Sequence, residues 1–402
     1  DGTQAPMSNA SLRFTNASRT WAAACIGVLF FSLAEHSAEA QSLGAGAQAP
    51  ACHSIAVSSV PATRLAVLAR GFNLTGWLDG EEIRRPDFAV LAGLRRRGFT
   101  HIRLPVTAER LVPTLSGSRE IAQRIGELDS AIDQLIALGF GVSLDFHPGD
   151  KLSRLHVAEP ERAFDLMQAL WSELARRYRD RPADHLFFEV LNEPSVDSKI
   201  WNDQGPKLVE AIRREAPNHT IVYGPANFQR IEALLELDPL PQQNVVYAIH
   251  FYDPMVFTHQ GLDWSDDPLR YLHGVPFPAQ RSDPAVVRLG QELTKAGRQT
   301  AAALLERQLS RAWTSERIAS EFGKAAAWAQ RHQRPVIVNE FGVLNWKASP
   351  ADRIRWLEAV RRSAEQHCIG WTHWDYADGF GFVQRRNGVE IPDEALVKAL
   401  LD

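Results

Sequence analysis

Six apolar runs in this 402-residue chain end in, or carry, side chains that are costly to bury. His101–Leu104 carries Arg103, and Gly141–Phe146 leads through Asp145 to His147. Leu186–Leu191 is followed by Asn192-Glu193-Pro194, and Val245–Ile249 by His250 and Tyr252. Pro335–Val338 is followed by Asn339-Glu340, and the last run carries His373, Trp374 and Asp375. Any one of these reads as a satisfied structural polar group. Six of them converging on one rim are hard to explain as structure alone. Two carboxylates that face one another suit cleavage of a glycosidic bond, where one must donate a proton to the leaving oxygen and the other must attack the anomeric carbon. Their environments can separate their pKa values. An arginine such as Arg103 beside one glutamate would hold it ionised. Asn192 can hydrogen-bond a sugar hydroxyl, and the flat apolar face of Trp374 can stack on a sugar ring. This chemistry calls for no metal and no cofactor.

Such residues need a scaffold that brings strand ends together. Candidate strands fall at Gly71–Leu74, His101–Leu104, Gly141–Phe146, Leu186–Leu191, Thr220–Tyr223, Val245–His250, Val336–Asn339 and Ile369–Trp374. Several are nearly continuous apolar segments, which suit parallel strands covered on both faces. Helical stripes lie between them, over Asp87–Arg97, over Leu128–Leu138, from Phe164 to Tyr178, over Ile354–Ala364 and over Ala395–Leu401. Eight such units predict an α/β chain folded as a single (β/α)8 TIM barrel over 66–402, with chemistry at the C-terminal ends of the strands. The structural alternative is a doubly wound open sheet, but no glycine-rich phosphate loop follows the first strand. Strands six and seven are separated by an unusually long connection, 251–334. Part of it reads as loop, with prolines at 254, 268, 276, 278 and 284, and part as helix over Gln299–Arg331. A connection of that length suggests a functional role.

The motifs, taken in order, resemble the family 5 glycoside hydrolases, the cellulase-type retaining β-glycosidases, from about Arg70 to the C-terminus. LFFEVLNEPS (Leu186–Ser195) is similar to the acid/base motif of that family, and PVIVNEFGV (Pro335–Val343) to its nucleophile strand. The resemblance implies Glu193 as acid/base and Glu340 as nucleophile. HIRLPV supplies Arg103, SLDFH supplies His147, AIHFYD supplies His250 and Tyr252, and GWTHWDY supplies Trp374. With Asn192 these complete eight family positions. In the family, the Tyr and Arg counterparts orient the nucleophile and the Asn counterpart binds the sugar 2-hydroxyl. The implied activity is retaining cleavage of a β-linked glucan, with an endo-β-1,4-glucanase as the leading reading. The same eight residues would also serve a β-1,3-glucanase, a mannanase, an exo-acting enzyme or a transglycosylase. Loops decide among these, and Trp77, Asp79, Glu81, Asn227, Trp264, Trp346 and Asp378 are the candidate contributors, each equally readable as a surface or packing residue. A sugar-binding protein on a retired enzyme scaffold would lack a catalytic carboxylate, and both glutamates are present. A structural partner of a polysaccharide-export machine has nothing in its favour beyond export.

Composition is that of an ordinary globular protein, 45% hydrophobic and 23% charged, with net charge −4. Since no basic run exceeds Arg95–Arg97, no nucleic-acid partner is expected. Residues 1–40 read as an upstream remnant followed by a secretory signal. Arg13 and Arg19 precede the apolar run Ala22–Ala34, and Ala38-Glu39-Ala40 fits the cleavage site. Residues 41–65, rich in Ala, Gly, Ser and Pro, read as a linker or arm. The expected product is a secreted or periplasmic protein, free of the membrane after cleavage and monomeric. Export would permit a bridge between Cys52 and Cys368, although sequence does not show whether they meet.

Overall fold

Eight parallel strands close on themselves in chain order. The structure, a computed structural model, describes residues 59–264 and 268–402. Strands β1 (Arg70–Asn73), β2 (His101–Thr107), β3 (Gly141–His147), β4 (Leu186–Glu189), β5 (Thr220–Tyr223), β6 (Val245–Phe251), β7 (Val336–Phe341) and β8 (Gly370–His373) match the eight runs expected from sequence, with ends shifted by a few residues. β1 pairs with both β2 and β8, with Gly71 opposite His101 on one side and Thr372 on the other. No barrel edge is left unpaired, and β2, β6 and β7 are buried along their whole length.

Helices cover the outside. α2 (Phe88–Arg97) starts where the Asp87 side chain accepts from the Ala89 amide, a helix-start signal of ordinary chemistry. α3 (Ser118–Ala137), α5 (Pro160–Tyr178), α12 (Pro350–Gln366) and α13 (Glu394–Leu401) contain the predicted stripes. Six of the eleven tryptophans (Trp77, Trp171, Trp201, Trp328, Trp356 and Trp371) are fully buried, so most of the indole content is core.

The connection from β6 to β7 is more helical than expected. Helix α9 (Pro284–Lys295) occupies a stretch read as loop because of its prolines. Pro284 stands in the first turn, where its missing N–H costs nothing. The expected continuous helix over 299–331 is two helices, α10 (Gln299–Gln308) and α11 (Ser315–His332). It breaks because Trp313 takes an extended conformation and exchanges backbone hydrogen bonds of 2.8 and 3.0 Å with Ala279. Thr314 then caps the second helix. After β8 a hairpin, β9 (Val383–Arg386) with β10 (Val389–Pro392), turns at Asn387-Gly388, both at positive φ. Asn-Gly is the dipeptide that such turns favour.

The lower, N-terminal end of the barrel is closed by α1 (Ala62–Val67) and its flanks. Val60 and Leu68 join Phe187, Val222, Val246, Ala248 and Ile337 in one buried cluster. The expected signal and most of the expected 41–65 linker lie outside the described residues. Cys368 is disulfide-bonded, and Cys52 lies outside them too. Among the described residues no helix is long and apolar enough to cross a membrane.

The closure at this end depends on close approach. A Cβ on Gly370, the first residue of β8, would stand 2.4 Å from the Leu68 carbonyl oxygen. Gly370→Ala should therefore cost about 1–3 kcal/mol of stability through overpacking. Turnover should be unchanged, because the catalytic residues are expected at the other end. A thermal melt paired with kcat checks both.

Candidate active site

The upper end of the barrel holds the polar residues, and one cation organises them. Arg103, on β2, is fully buried. A guanidinium has five N–H donors, and each finds an acceptor here. Nε donates to Glu189 Oε2 at 2.8 Å and Nη2 to Glu189 Oε1 at 2.8 Å. Nη1 donates to Asn73 Oδ1 at 2.9 Å and to Glu340 Oε1 at 2.6 Å. The second Nη2 hydrogen goes to Asn192 Oδ1 at 2.7 Å, and Asp145 Oδ2 lies 3.1 Å from the same nitrogen. Burial alone would lower the arginine pKa, but Asp145, Glu189 and Glu340 raise it well above its usual value.

Glu340, one residue before the end of β7, has a side chain only 7% exposed. Its second oxygen accepts from the Tyr252 hydroxyl at 2.9 Å. Burial and the neighbouring Glu340 charge push the Tyr252 pKa well above the phenol range, so the hydroxyl stays a donor. Glu193 sits beyond β4 at φ 44°, with its side chain 31% exposed. Burial pushes its carboxyl up to about 7. The buried His250 ring places Nδ1 2.8 Å from Glu193 Oε1 and 3.4 Å from Glu340 Oε2. Its own pKa is lowered to about 4, chiefly by burial, so the ring is neutral at ordinary pH. One oxygen of each glutamate and one His250 nitrogen all lie within 4.8 Å of one another.

His147 Nδ1 stands 2.7 Å from Asp145 Oδ2, and its Nε2 lies 3.2 Å from Asn192 Nδ2. Burial opposes a charge on His147, but Asp145 outweighs it and raises the pKa. The His147 ring stacks on Trp374, with centroids 5.9 Å apart and planes 22° apart. A cavity of about 380 Å³ joins His147, Asn192, Glu193, His250, Tyr252, Glu340 and Trp374.

The structure thus brings all eight sequence-derived residues together: seven line the cavity and Arg103 lies beneath them. His373 and Asp375 are buried and do not line it. Of the loop candidates, Trp264 lines the cavity at 60% exposure, and Trp346, 41% exposed, packs edge-on against it at 5.5 Å. Trp77 is core, packed against Phe88. Asp79, Glu81, Asn227 and Asp378 are not among the lining residues. Sequence reasoning passed over Glu189, Asn73, Phe228 and Gln229. Glu189 had a signal, since a carboxylate inside the run LFFEVL is costly to bury without a cation.

Comparison with known proteins agrees with this geometry. The family model of cellulase (glycosyl hydrolase family 5) matches residues 62–378. Endoglucanase 3 of Fibrobacter succinogenes is 29% identical over 350 residues, which are 82% of this chain and 52% of that protein. The chain therefore spans about half the length of that relative. Cellodextrinase A of Ruminococcus flavefaciens is 25% identical over 75% of this chain and 83% of its own. The crystal structure of endoglucanase Cel5A from Thermotoga maritima superposes with a TM-score of 0.68 at 25% identity, covering 84% of this chain and 98% of that one. With the family model running through all eight barrel strands, this chain belongs to the cellulase family, glycosyl hydrolase family 5.

Proposed function

We propose that this glycoside hydrolase is an endo-β-1,4-glucanase that retains anomeric configuration, with Glu340 as nucleophile and Glu193 as acid/base. The spacing of the two carboxylates is the observation that carries the mechanism. One oxygen from each, within 4.8 Å of the other, fits the separation of roughly 5–5.5 Å used for double displacement better than the roughly 6.5–9.5 Å of an inverting site. Arg103 and Tyr252 each hold one Glu340 oxygen, which orients the side chain for attack. Burial keeps a proton on Glu193, which favours the donor.

In the first step a Glu340 oxygen bonds to the anomeric carbon, the glycosidic bond breaks, and the leaving oxygen takes the Glu193 proton. In the second, Glu193, now a carboxylate, removes a proton from water as that water displaces Glu340. An endo mode is supported by the exposed rings. Among the described residues Phe228, Trp264 and Trp346 are the exposed aromatics of the large apolar side chains, at 51%, 60% and 41%. The first two line the cavity and the third packs on the second. Exposed apolar rings flanking carboxylates are costly in water and useful to a bound sugar chain. Export is supported by the disulfide at Cys368, since such bonds persist outside reducing compartments.

Incubation with carboxymethylcellulose, mixed-linkage glucan, laminarin and mannan, with Glu340→Gln as blank, tests the reading. Mixed short oligosaccharides from the first two are expected, with β-anomers formed first by NMR and none from the variant. Glucose alone, or activity only on laminarin or mannan, would move the enzyme to another specificity. Glu193→Ala should lower kcat/KM on cellotetraose by roughly 10²–10⁴-fold and leave kcat/KM on dinitrophenyl cellobioside nearly intact, because that leaving group needs no proton. In the wild type, kcat/KM on cellotetraose should fall as pH rises through about 7. The same shift has a stability sign. Between 4.5 and about 7 the folded state holds a proton that the unfolded chain has lost, so this group's contribution is full below 4.5 and fades as pH rises to 7. Glu193→Gln should therefore raise Tm more at pH 8 than at pH 4.

A further inference from the structure

Three consecutive residues after β5, Asn227, Phe228 and Gln229, hold φ of 57°, 59° and 54°. None is glycine, and left-handed backbone at such residues persists only where the surroundings impose it. The third of them, Gln229, is fully buried. Its Oε1 accepts from the Glu193 backbone amide at 2.7 Å. Its own carbonyl accepts from the His250 amide at 2.9 Å. That second bond coincides with the irregularity between Ile249 and His250, where the β6–β7 register shifts. Gln229 therefore fixes the backbone of Glu193 and the backbone of the histidine whose ring sits 2.8 Å from the Glu193 carboxyl. Among the described residues the Gln229 Nε2 has no hydrogen-bond partner, and the contact to Glu193 is made through the acceptor oxygen. Room for it is made by Gly224, where a Cβ would lie 2.3 Å from Nε2.

From this juxtaposition we infer that Gln229 is a positioning residue for the proton donor. It holds Glu193 at its own left-handed φ of 44° and aims the carboxyl at the leaving oxygen, while Phe228, carried on the same turn, is placed on the cavity wall. A peptide amide left without its acceptor would turn toward another, and the carboxyl would move with it. The inference rests on Glu193 being the acid/base.

Gln229→Leu removes the acceptor at similar volume, and Gly224→Ala displaces the glutamine without changing it. Both should lower kcat/KM on cellotetraose by roughly 10- to 100-fold, the scale of a misplaced catalytic group, and change kcat/KM on dinitrophenyl cellobioside by less than about threefold. Both should also move the alkaline limb of the cellotetraose profile away from about 7. Gln229→Glu keeps an acceptor oxygen and gives up only the unpartnered nitrogen, so it should restore most of the cellotetraose activity. Should Gln229→Leu fail to fold, Gly224→Ala and Gln229→Glu carry the test. Equal losses on both substrates, or no loss, beside a leaving-group-dependent loss in Glu193→Ala would overturn the positioning role and leave the acid assignment standing. Equal losses in Glu193→Ala as well would overturn both.

Discussion

A single buried guanidinium sets the terms for the rest of the catalytic end. Arg103 has no solvent to turn to, and its charge must be met within the barrel. It is met by carboxylates from β3, β4 and β7 and by amide oxygens from β1 and from the chain just beyond β4. Each partner is then itself fixed. Asn339 donates to Glu189 at 2.8 Å, and Asn73 donates to the Asn339 and His373 carbonyls. Removing any one partner would leave a desolvated group unpaired, which costs far more than the net value of the bond.

The two glutamates differ because their neighbours differ. Glu193 keeps 31% of its side-chain surface and Glu340 only 7%. What separates them is the quality of the donors. Glu340 accepts from a permanent cation and a phenol. The Glu193 carboxyl has a neutral imidazole beside it and no cation in hydrogen-bond reach among the described residues. Burial with no cation in reach thus favours the protonated form of Glu193, a few ångströms from an acid that a guanidinium holds.

Most of this was legible in the chain. Eight apolar runs gave the barrel because parallel strands covered on both faces leave a continuous hydrophobic trace. The polar residues at their ends gave the site because nothing else pays for burying Arg, His and Glu together. The connection after β6 was less legible for a local reason. Pro284 reads as a loop residue unless its place at the first helical position is recognised, and the bend at Trp313 depends on a backbone pairing with Ala279, 34 positions earlier. Gln229 was invisible for a similar reason, because its partner is a main-chain amide contributed by a different strand end. Glu189 was visible and was passed over, standing inside a run otherwise apolar.

The closure of β1 onto β8 has a bearing on how the molecule is made. Arg103 and Glu340 are 237 positions apart in the chain, and Asn73 and Asn339 are 266 apart. Contacts of such separation form late and slow the search for the native state. During synthesis the guanidinium is laid down long before its last carboxylate exists. Until β7 and β8 arrive, the growing chain has an arginine short of one counter-charge and two strand edges without neighbours. The hydrogen-bonded centre around Arg103 is therefore also a part of the fold that no chain ending before β7 can assemble.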